Sequence, residues 1–186
     1  MNKSKIRKKI LKLRKQKVSN NIEIEFDDIK KILKKIKVTP KIIGGYHPYN
    51  YEIDTMKILK KFESLEYQIS LPKIKKNHQM KFFFWSTTDP LVINKYGIPE
   101  PTSDKIIYPS ILLVPLVAYD KHLNRIGYGG GFYDRYIDKL RKKRKVITIG
   151  LAYPFQKVKK VPTDKFDIKL DFMVTGKKKN KWEYYF

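Results

Sequence analysis

Four of the chain's nine glycines fall within five residues, Gly127-Tyr128-Gly129-Gly130-Gly131. Glycine has no Cβ, so such a loop reaches unusual φ angles and lets a ligand approach the backbone closely. An apolar segment precedes the loop and a helical pattern follows it. A helix N-terminus adds free N–H groups and a partial positive charge, and together these make a phosphate cradle. Arg125, just ahead, can offer a fork of donors to phosphate oxygens. Asp134, just behind, would repel a phosphate unless a cation lay between them. Mg²⁺ fills that place, bridging phosphates and one or two carboxylates. The spacing fits neither GxxxxGK[ST] nor GxGxxG, which excludes a Walker loop and a dinucleotide fingerprint. A purely structural glycine turn, with Asp134 as an ordinary first-turn helix carboxylate, is the alternative.

Other chemistries are poorly supplied. The chain has no cysteine, which excludes disulfides, thiolate nucleophiles and cysteine-bound metal. Its three histidines, His47, His78 and His122, lie too far apart for an HExxH site. No GxSxG elbow advertises a serine nucleophile.

The elements that must carry the glycine loop read as an alternation of helices and strands. Ile6, Ile10 and Leu13 space a basic helix over 3–17. A second helix is expected over 23–37, with an acidic start and a lysine-rich end that suit its dipole. A short strand over 41–45 ends in Gly44-Gly45. Asp54 or Thr55 then caps a helix carrying Met56, Leu59 and Phe62. Strands are expected over 67–71, ended by Pro72, and over 80–85. Residues 86–109 hold too many prolines and glycines for a helix or a central strand. A strongly apolar strand over 111–119 is broken by Pro115. After the glycine loop come a helix over 132–143 and strands over 146–152 and 171–175. This alternation predicts an α/β fold, a three-layer α/β/α sandwich around a mainly parallel sheet. Residues 1–186 are read as one domain, with a lysine-rich tail over 177–186.

Composition bounds the partners. The 186 residues carry 42 Lys+Arg and 18 Asp+Glu, a formal net charge of +24. Such a charge invites nucleic acid. The lysines are spread along the chain, however, and the aromatics in Lys81-Phe82-Phe83-Phe84-Trp85 look like a buried strand, so no specific nucleic acid is expected. No segment reaches the about 18 apolar residues of a membrane span, and the basic N-terminus lacks the apolar block of a secretory signal. A cytoplasmic monomer is expected.

The run over 113–135, with its apolar strand, an Asp and a short turn, and R-I-G-Y-G-G-G-F-Y-D, closely resembles the signature of the 5-formyltetrahydrofolate cyclo-ligase family. Other segments agree in order: the KxxxR of Lys3 and Arg7, E-I-D-T over 52–55, G-I-P-E-P over 97–101, G-L-A-Y over 150–153, then Gln156, Pro162 and D-I-K-L-D over 167–171. Leu116, Phe132 and Tyr96 depart from common family residues.

The resemblance implies conversion of 5-formyltetrahydrofolate to 5,10-methenyltetrahydrofolate, with ATP as co-substrate, Mg²⁺ as cofactor, and ADP and phosphate released. It implies catalytic roles for Arg125 and Asp134, and Mg²⁺ ligation by Asp134 and Asp167. ATP would meet Lys3, Arg7, Arg125, Ile126, Gly127, Tyr128, Gly129, Gly130, Gly131, Phe132 and Tyr133. Lys3 and Arg7 lie one helical turn apart and can face one ligand. The folate, which can carry a polyglutamate tail, would meet Tyr49, Glu52, Asp54, Tyr96, Tyr128, residues 129–131 and Phe132. Helix-surface charge for Lys3 and Arg7, and packing or turn geometry for the others, are the plain alternatives. A basic nucleic-acid-binding protein, or a family member that binds nucleotide without turnover, are the competing functions.

Overall fold

In a computed structural model of the chain, residues 2–18, 22–36, 40–75 and 79–178 are described. The chain begins with α1 (Lys3–Lys17), β1 (Ile22–Glu23), α2 (Phe26–Lys35), β2 (Ile42–Gly44), α3 (Met56–Glu63), β3 (Gln68–Lys75) and β4 (Gln79–Phe84). Next come β5 (Leu91–Ile93), β6 (Pro99–Pro101), β7 (Ile111–Val114), β8 (Ala118–Tyr119) and β9 (Arg125–Ile126). The glycine loop leads into α4 (Phe132–Arg141), followed by β10 (Ile147–Ala152), β11 (Phe172–Thr175) and β12 (Lys177–Lys178).

Six strands form the central sheet in the order β11-β10-β7-β2-β3-β4. All neighbours are parallel except β3 and β4. Every residue of β7 and β10 is buried, as expected of parallel strands covered on both faces. Alternate side chains divide between two cores. Ile111, Leu113, Ile147 and Ile149 join Ile29 of α2 and Leu59 and Phe62 of α3. Leu112 and Val114 join Tyr136, Ile137 and Leu140 of α4. The α/β/α sandwich is therefore as the sequence predicts. Among the described residues no helix is long and apolar enough to cross a membrane.

Helix α1 belongs to neither layer. Asn2 caps it, its side chain accepting from Lys5 N at 2.9 Å. Ile6 and Ile10, one turn apart, pack on Val117, Ala118 and Ile126 around the β8-β9 ribbon. The ribbon is fixed by Asp120, which is 1% exposed. Its carboxylate accepts from His122 N, Asn124 N, Asn124 Nδ2 and Val161 N at 2.9–3.3 Å.

Three sequence expectations are corrected. Ile22–Glu23 form a strand against Lys177–Lys178, so the second helix starts at Phe26, and the expected free tail begins as a strand. Its remainder, like Lys37, lies outside the described residues. Pro72 does not end β3, which continues to Lys75. The N–H groups of Gln68 and Ile74 on that edge bond Lys41 O and a Glu100 carboxylate, and β2 pairs only as far as Ser70. Pro72 thus sits where no ladder donor is needed. Residues 86–109, as expected, form neither a helix nor a central strand; their antiparallel β5-β6 pair is a separate two-stranded sheet.

Replacing Asp120 with Ala leaves several buried N–H groups, among them that of Val161, without an acceptor. The unfolding free energy of Asp120→Ala should fall by roughly 2–4 kcal/mol, read from urea unfolding; a change below about 0.5 kcal/mol would contradict this role.

Candidate active site

Reading along the sheet, chain order reverses between β2 and β7. Connections leaving the carboxyl ends of these two strands turn to opposite faces, α3 to one and α4 to the other. A crevice opens at such a reversal. Here it is a cavity of about 1220 Å³, larger than the roughly 300–1,000 Å³ of a site for one small ligand. Tyr46 to Glu52 enter it from the end of β2, Pro115 from the end of β7, and α1, the glycine loop, the β5-β6 pair and the 164–168 turn complete its walls.

One wall is built for anions. Gly129 has φ +106° and Gly131 φ +64°, conformations that L side chains rarely adopt. Gly131 is the residue from which α4 starts, so N–H groups of the first turn face the loop. Arg7 Nε donates to Gly127 O at 2.8 Å, and a Cβ on Gly129 would stand 3.5 Å from the Arg7 guanidinium. Lys3 Nζ bonds Asp164 and Asp167 at 2.7 and 2.5 Å. Burial pulls its pKa down, yet the bonds to Asp164 and Asp167 outweigh this and raise it.

Arg125 is placed differently from the fork expected to reach phosphate. It is buried, and it donates to Asp134 Oδ1 at 2.8 Å and Ile168 O at 2.5 Å. Asp134 Oδ1 also accepts from Ile168 N at 3.1 Å. The pair therefore locks the 164–168 turn against the start of α4. Asp167 Oδ2 is held by Lys3 and by Asp164 N. Among the described residues Asp134 Oδ2 and Asp167 Oδ1 accept no hydrogen bond, and no group of three or more His, Cys, Asp or Glu forms a metal cage. Two carboxylates with an oxygen to spare beside an anion loop suit Mg²⁺, which takes its other ligands from phosphates and water.

Another part of the lining is aromatic with one acid, and Tyr128 of the glycine loop belongs to it. Tyr49 and Tyr128 meet edge to face at 5.9 Å, and both are partly exposed to the cavity. Glu52 is 9% exposed and accepts from Tyr49 N at 3.0 Å. Burial pushes its carboxyl up to about 7, against the Tyr49 N–H, the Arg14 charge and the Tyr128 hydroxyl, which all favour the ionised form. Beside it the hydroxyls of Tyr46 and Tyr133 are buried and have no partner among the described residues. Buried polar groups are normally paired, so these two hydroxyls mark a place for a polar ligand. Burial, then the nearby Glu52 charge, raises the pKa of both tyrosines.

The β5-β6 pair brings Tyr96, itself half-exposed, to the rim. The turn is held by Asn94 Oδ1, which accepts from Tyr96 N and Ile98 N at 2.8 and 3.1 Å. Glu100 Oε1 accepts from Ile74 N and Asn94 Nδ2, both at 2.8 Å. Polar bonds as well as the two prolines fix the turn.

Of the sequence-predicted site residues, Lys3, Arg7, Tyr49, Glu52, Tyr96, Arg125, Ile126, residues 127–134 and Asp167 all line this one cavity. Asp54 does not. It is exposed, and its Oδ1 accepts from Met56 N at 2.8 Å at the start of α3, while the Thr55 hydroxyl turns inward to Tyr46 O. Tyr133, expected among the ATP contacts, lines the same cavity and has its hydroxyl near Glu52. Sequence reasoning missed Tyr46, Asp164 and Arg14. Tyr46 directly follows the Gly44-Gly45 end of a strand, a signal the sequence offers; Arg14 lies seven residues after Arg7 on the same helix face, which does not set it apart from the other cations of that helix.

The raised Glu52 pKa has a sign that stability measurements can check. An ordinary Glu carboxyl titrates near 4.5, so the unfolded chain loses this proton first. The contribution of Glu52 to stability is complete below about pH 4.5 and is lost as pH rises through about 7. Glu52→Gln should match wild type near pH 4 and be more stable by on the order of 2–3 kcal/mol near pH 8. Equal offsets at both pH values would contradict the buried, ionising carboxylate.

The sequence pattern of the 5-formyltetrahydrofolate cyclo-ligase family matches residues 1–176. A Haemophilus influenzae protein named 5-formyltetrahydrofolate cyclo-ligase is 34% identical over 143 residues, 73% of this chain and 76% of that protein. The Escherichia coli K12 protein of the same name is 30% identical over 147 residues, 75% and 80% of the two chains. The solved 5,10-methenyltetrahydrofolate synthetase of Aquifex aeolicus superposes with a TM-score of 0.70 at 26% identity over the whole of both chains. That of Mycoplasma pneumoniae, at 24% identity and a TM-score of 0.70 over 94% of this chain and 98% of that one, shares the fold. With the glycine loop, the KxxxR cations and the buried glutamate meeting in one cavity, the chain belongs to the 5-formyltetrahydrofolate cyclo-ligase family of enzymes.

Proposed function

We propose that the protein converts 5-formyltetrahydrofolate and ATP, with Mg²⁺, into 5,10-methenyltetrahydrofolate, ADP and phosphate. The observation that carries this reading is the cavity. Glycine-loop N–H groups and cations share it with a buried carboxylate and tyrosines, in a volume large enough for two ligands.

The loop N–H groups and Arg7 would hold the ATP phosphates, with Lys3 holding the 164–168 turn beside them. Asp134 and Asp167 would hold Mg²⁺, which when bound supplies charge neutralisation between phosphate oxygens. The pterin would lie against Tyr49 and Tyr128. Its ring N–H and amino group are adjacent donors, and the Glu52 carboxylate would accept from both. The hydroxyls of Tyr46 and Tyr133 would meet the remaining polar edge.

The formyl oxygen, so placed, attacks the γ-phosphorus. Its O–P bond forms as the bond from the γ-phosphorus to the bridging oxygen breaks and ADP departs. N10 then attacks the activated carbon and loses its proton, and the C–O bond breaks to release phosphate. Phosphoryl transfer of this kind depends on positioning and charge stabilisation, so the lack of cysteine is no obstacle.

Mixing the protein with 5-formyltetrahydrofolate, Mg²⁺ and ATP should produce the methenyl-folate absorption band, and omitting ATP should abolish it. No band under any of these conditions would overturn the reading. Asp134→Asn keeps an acceptor for Arg125 yet should lower kcat/KM by about 100-fold; near-normal activity at limiting Mg²⁺ would remove Asp134 from the metal site. Gly129→Val, forced to φ +106°, should lose ATP binding in calorimetry while still unfolding cooperatively. Unchanged ATP affinity would reduce the loop to a structural turn.

A further inference from the structure

Arg14 lies behind the cavity wall and contacts neither face of the proposed ligands. It is 1% exposed, and among the described residues no carboxylate lies within ion-pair distance of it. Its Nη2 donates to Leu116 O at 2.5 Å, and its Nη1 to Tyr128 OH at 2.7 Å and Asn50 O at 3.4 Å. Its Nε is buried with no partner among those residues. A buried charge without an ion pair is costly, and an apolar side chain of similar volume would ordinarily be the more stable choice. The other buried positions of α1, Ile6 and Ile10, are apolar. The guanidinium therefore has a task that packing does not explain.

What it holds indicates the task. Asn50 and Tyr51, between Tyr49 and Glu52, have φ of 49° and 59°. Non-glycine residues persist in that region only where their surroundings over-determine them. Arg14 bonds this segment at Asn50 O, the end of β7 at Leu116 O and the glycine loop at Tyr128. The titratable groups facing Glu52 are Arg14 from α1, Tyr128 from the glycine loop, Tyr46 from its own segment, Tyr133 from α4 and Tyr153 beyond β10. Arg14 is the one cation among them.

We infer that Arg14 is a positioning residue for folate: it fixes Tyr128 and the strained 49–52 segment, and its guanidinium is the cation set beside the Glu52 carboxylate that receives the pterin. The inference rests on the reading of the Glu52 wall as the folate side. Without the cation, Glu52 retains its proton to higher pH, and a protonated carboxyl accepts poorly from two adjacent donors.

The test is the pH dependence of KM for each substrate in the full chain carrying Arg14→Met or Arg14→Lys. For Arg14→Met the KM for 5-formyltetrahydrofolate should rise about fivefold at pH 7, as displacing a carboxyl that titrates near 7 upward by about one pH unit requires, and should approach wild type near pH 9. The KM for ATP should change by less than about twofold, and Arg14→Lys, which restores the charge, should recover most of the loss. Superimposed profiles for wild type and Arg14→Met overturn the inference, as does an equal loss for both substrates at every pH. If Arg14→Met does not fold, Arg14→Gln, which keeps donors but not the charge, decides: a severalfold rise in folate KM at pH 7 that fades near pH 9 supports the inference, and a profile superimposed on wild type overturns it. A wild-type protein inactive toward 5-formyltetrahydrofolate and ATP overturns the functional reading and this inference together, whereas an active wild type with superimposed profiles overturns this inference alone.

Discussion

The neighbouring strands β2 and β7 are buried on both faces and run in the same direction, so neither can present a polar side chain along its length. Chemistry has to wait until each strand ends, and there the chain diverges to opposite sides of the sheet. That divergence supplies the cavity, places Tyr46 to Glu52 on one lip and Pro115 on the other, and directs the glycine loop into α4 beside them. The rest of the site consists of segments drawn over this gap: α1 from the front of the chain, the 164–168 turn from its back, and the β5-β6 pair from the middle.

Much of this was legible because it depends on local rules. The glycine cluster before a helical pattern located the anion wall, and the four-residue spacing of Lys3 and Arg7 placed both on one side of α1. The alternation of elements gave the layers. What stayed hidden depends on contacts between distant residues. Nothing near Arg125 in the chain indicates that its fork turns inward to Asp134 and Ile168. Arg14 looks like one more cation in a basic helix until β7 and the glycine loop enclose it. Pro72 reads as a strand end unless the length of the neighbouring strand is known, and the pairing of Ile22–Glu23 with Lys177–Lys178 spans most of the chain. Asp54 misled for a simpler reason: the residue types that bind ligands are also those that cap helices.

The net charge of +24 also acquires a location. Glu52, Glu100, Asp134, Asp138, Asp164 and Asp167 line the cavity, six of the chain's 18 acids, alongside the six cations Lys3, Arg7, Arg125, Arg135, Lys142 and Lys165. The interior of the site is thus balanced while the excess charge lies elsewhere. A trough for a long polyanion would be uniformly basic. Balanced charge around a cavity fits ligands of defined shape, whose charged and polar edges each meet a particular group.

The placement of α1 bears on how the molecule is made. Its side chains reach partners far along the chain: Leu116 from Arg14, Gly127 from Arg7, and Asp164 and Asp167 from Lys3. On a ribosome adding roughly 5–20 residues per second, this first helix emerges and then waits on the order of ten to thirty seconds for the turn that Lys3 binds. Until residues 117–126 have been made, its buried face has no ribbon to cover it. The cavity is complete only when the latest-made of these segments, the 164–168 turn, arrives, so a chain halted before it lacks part of the lining.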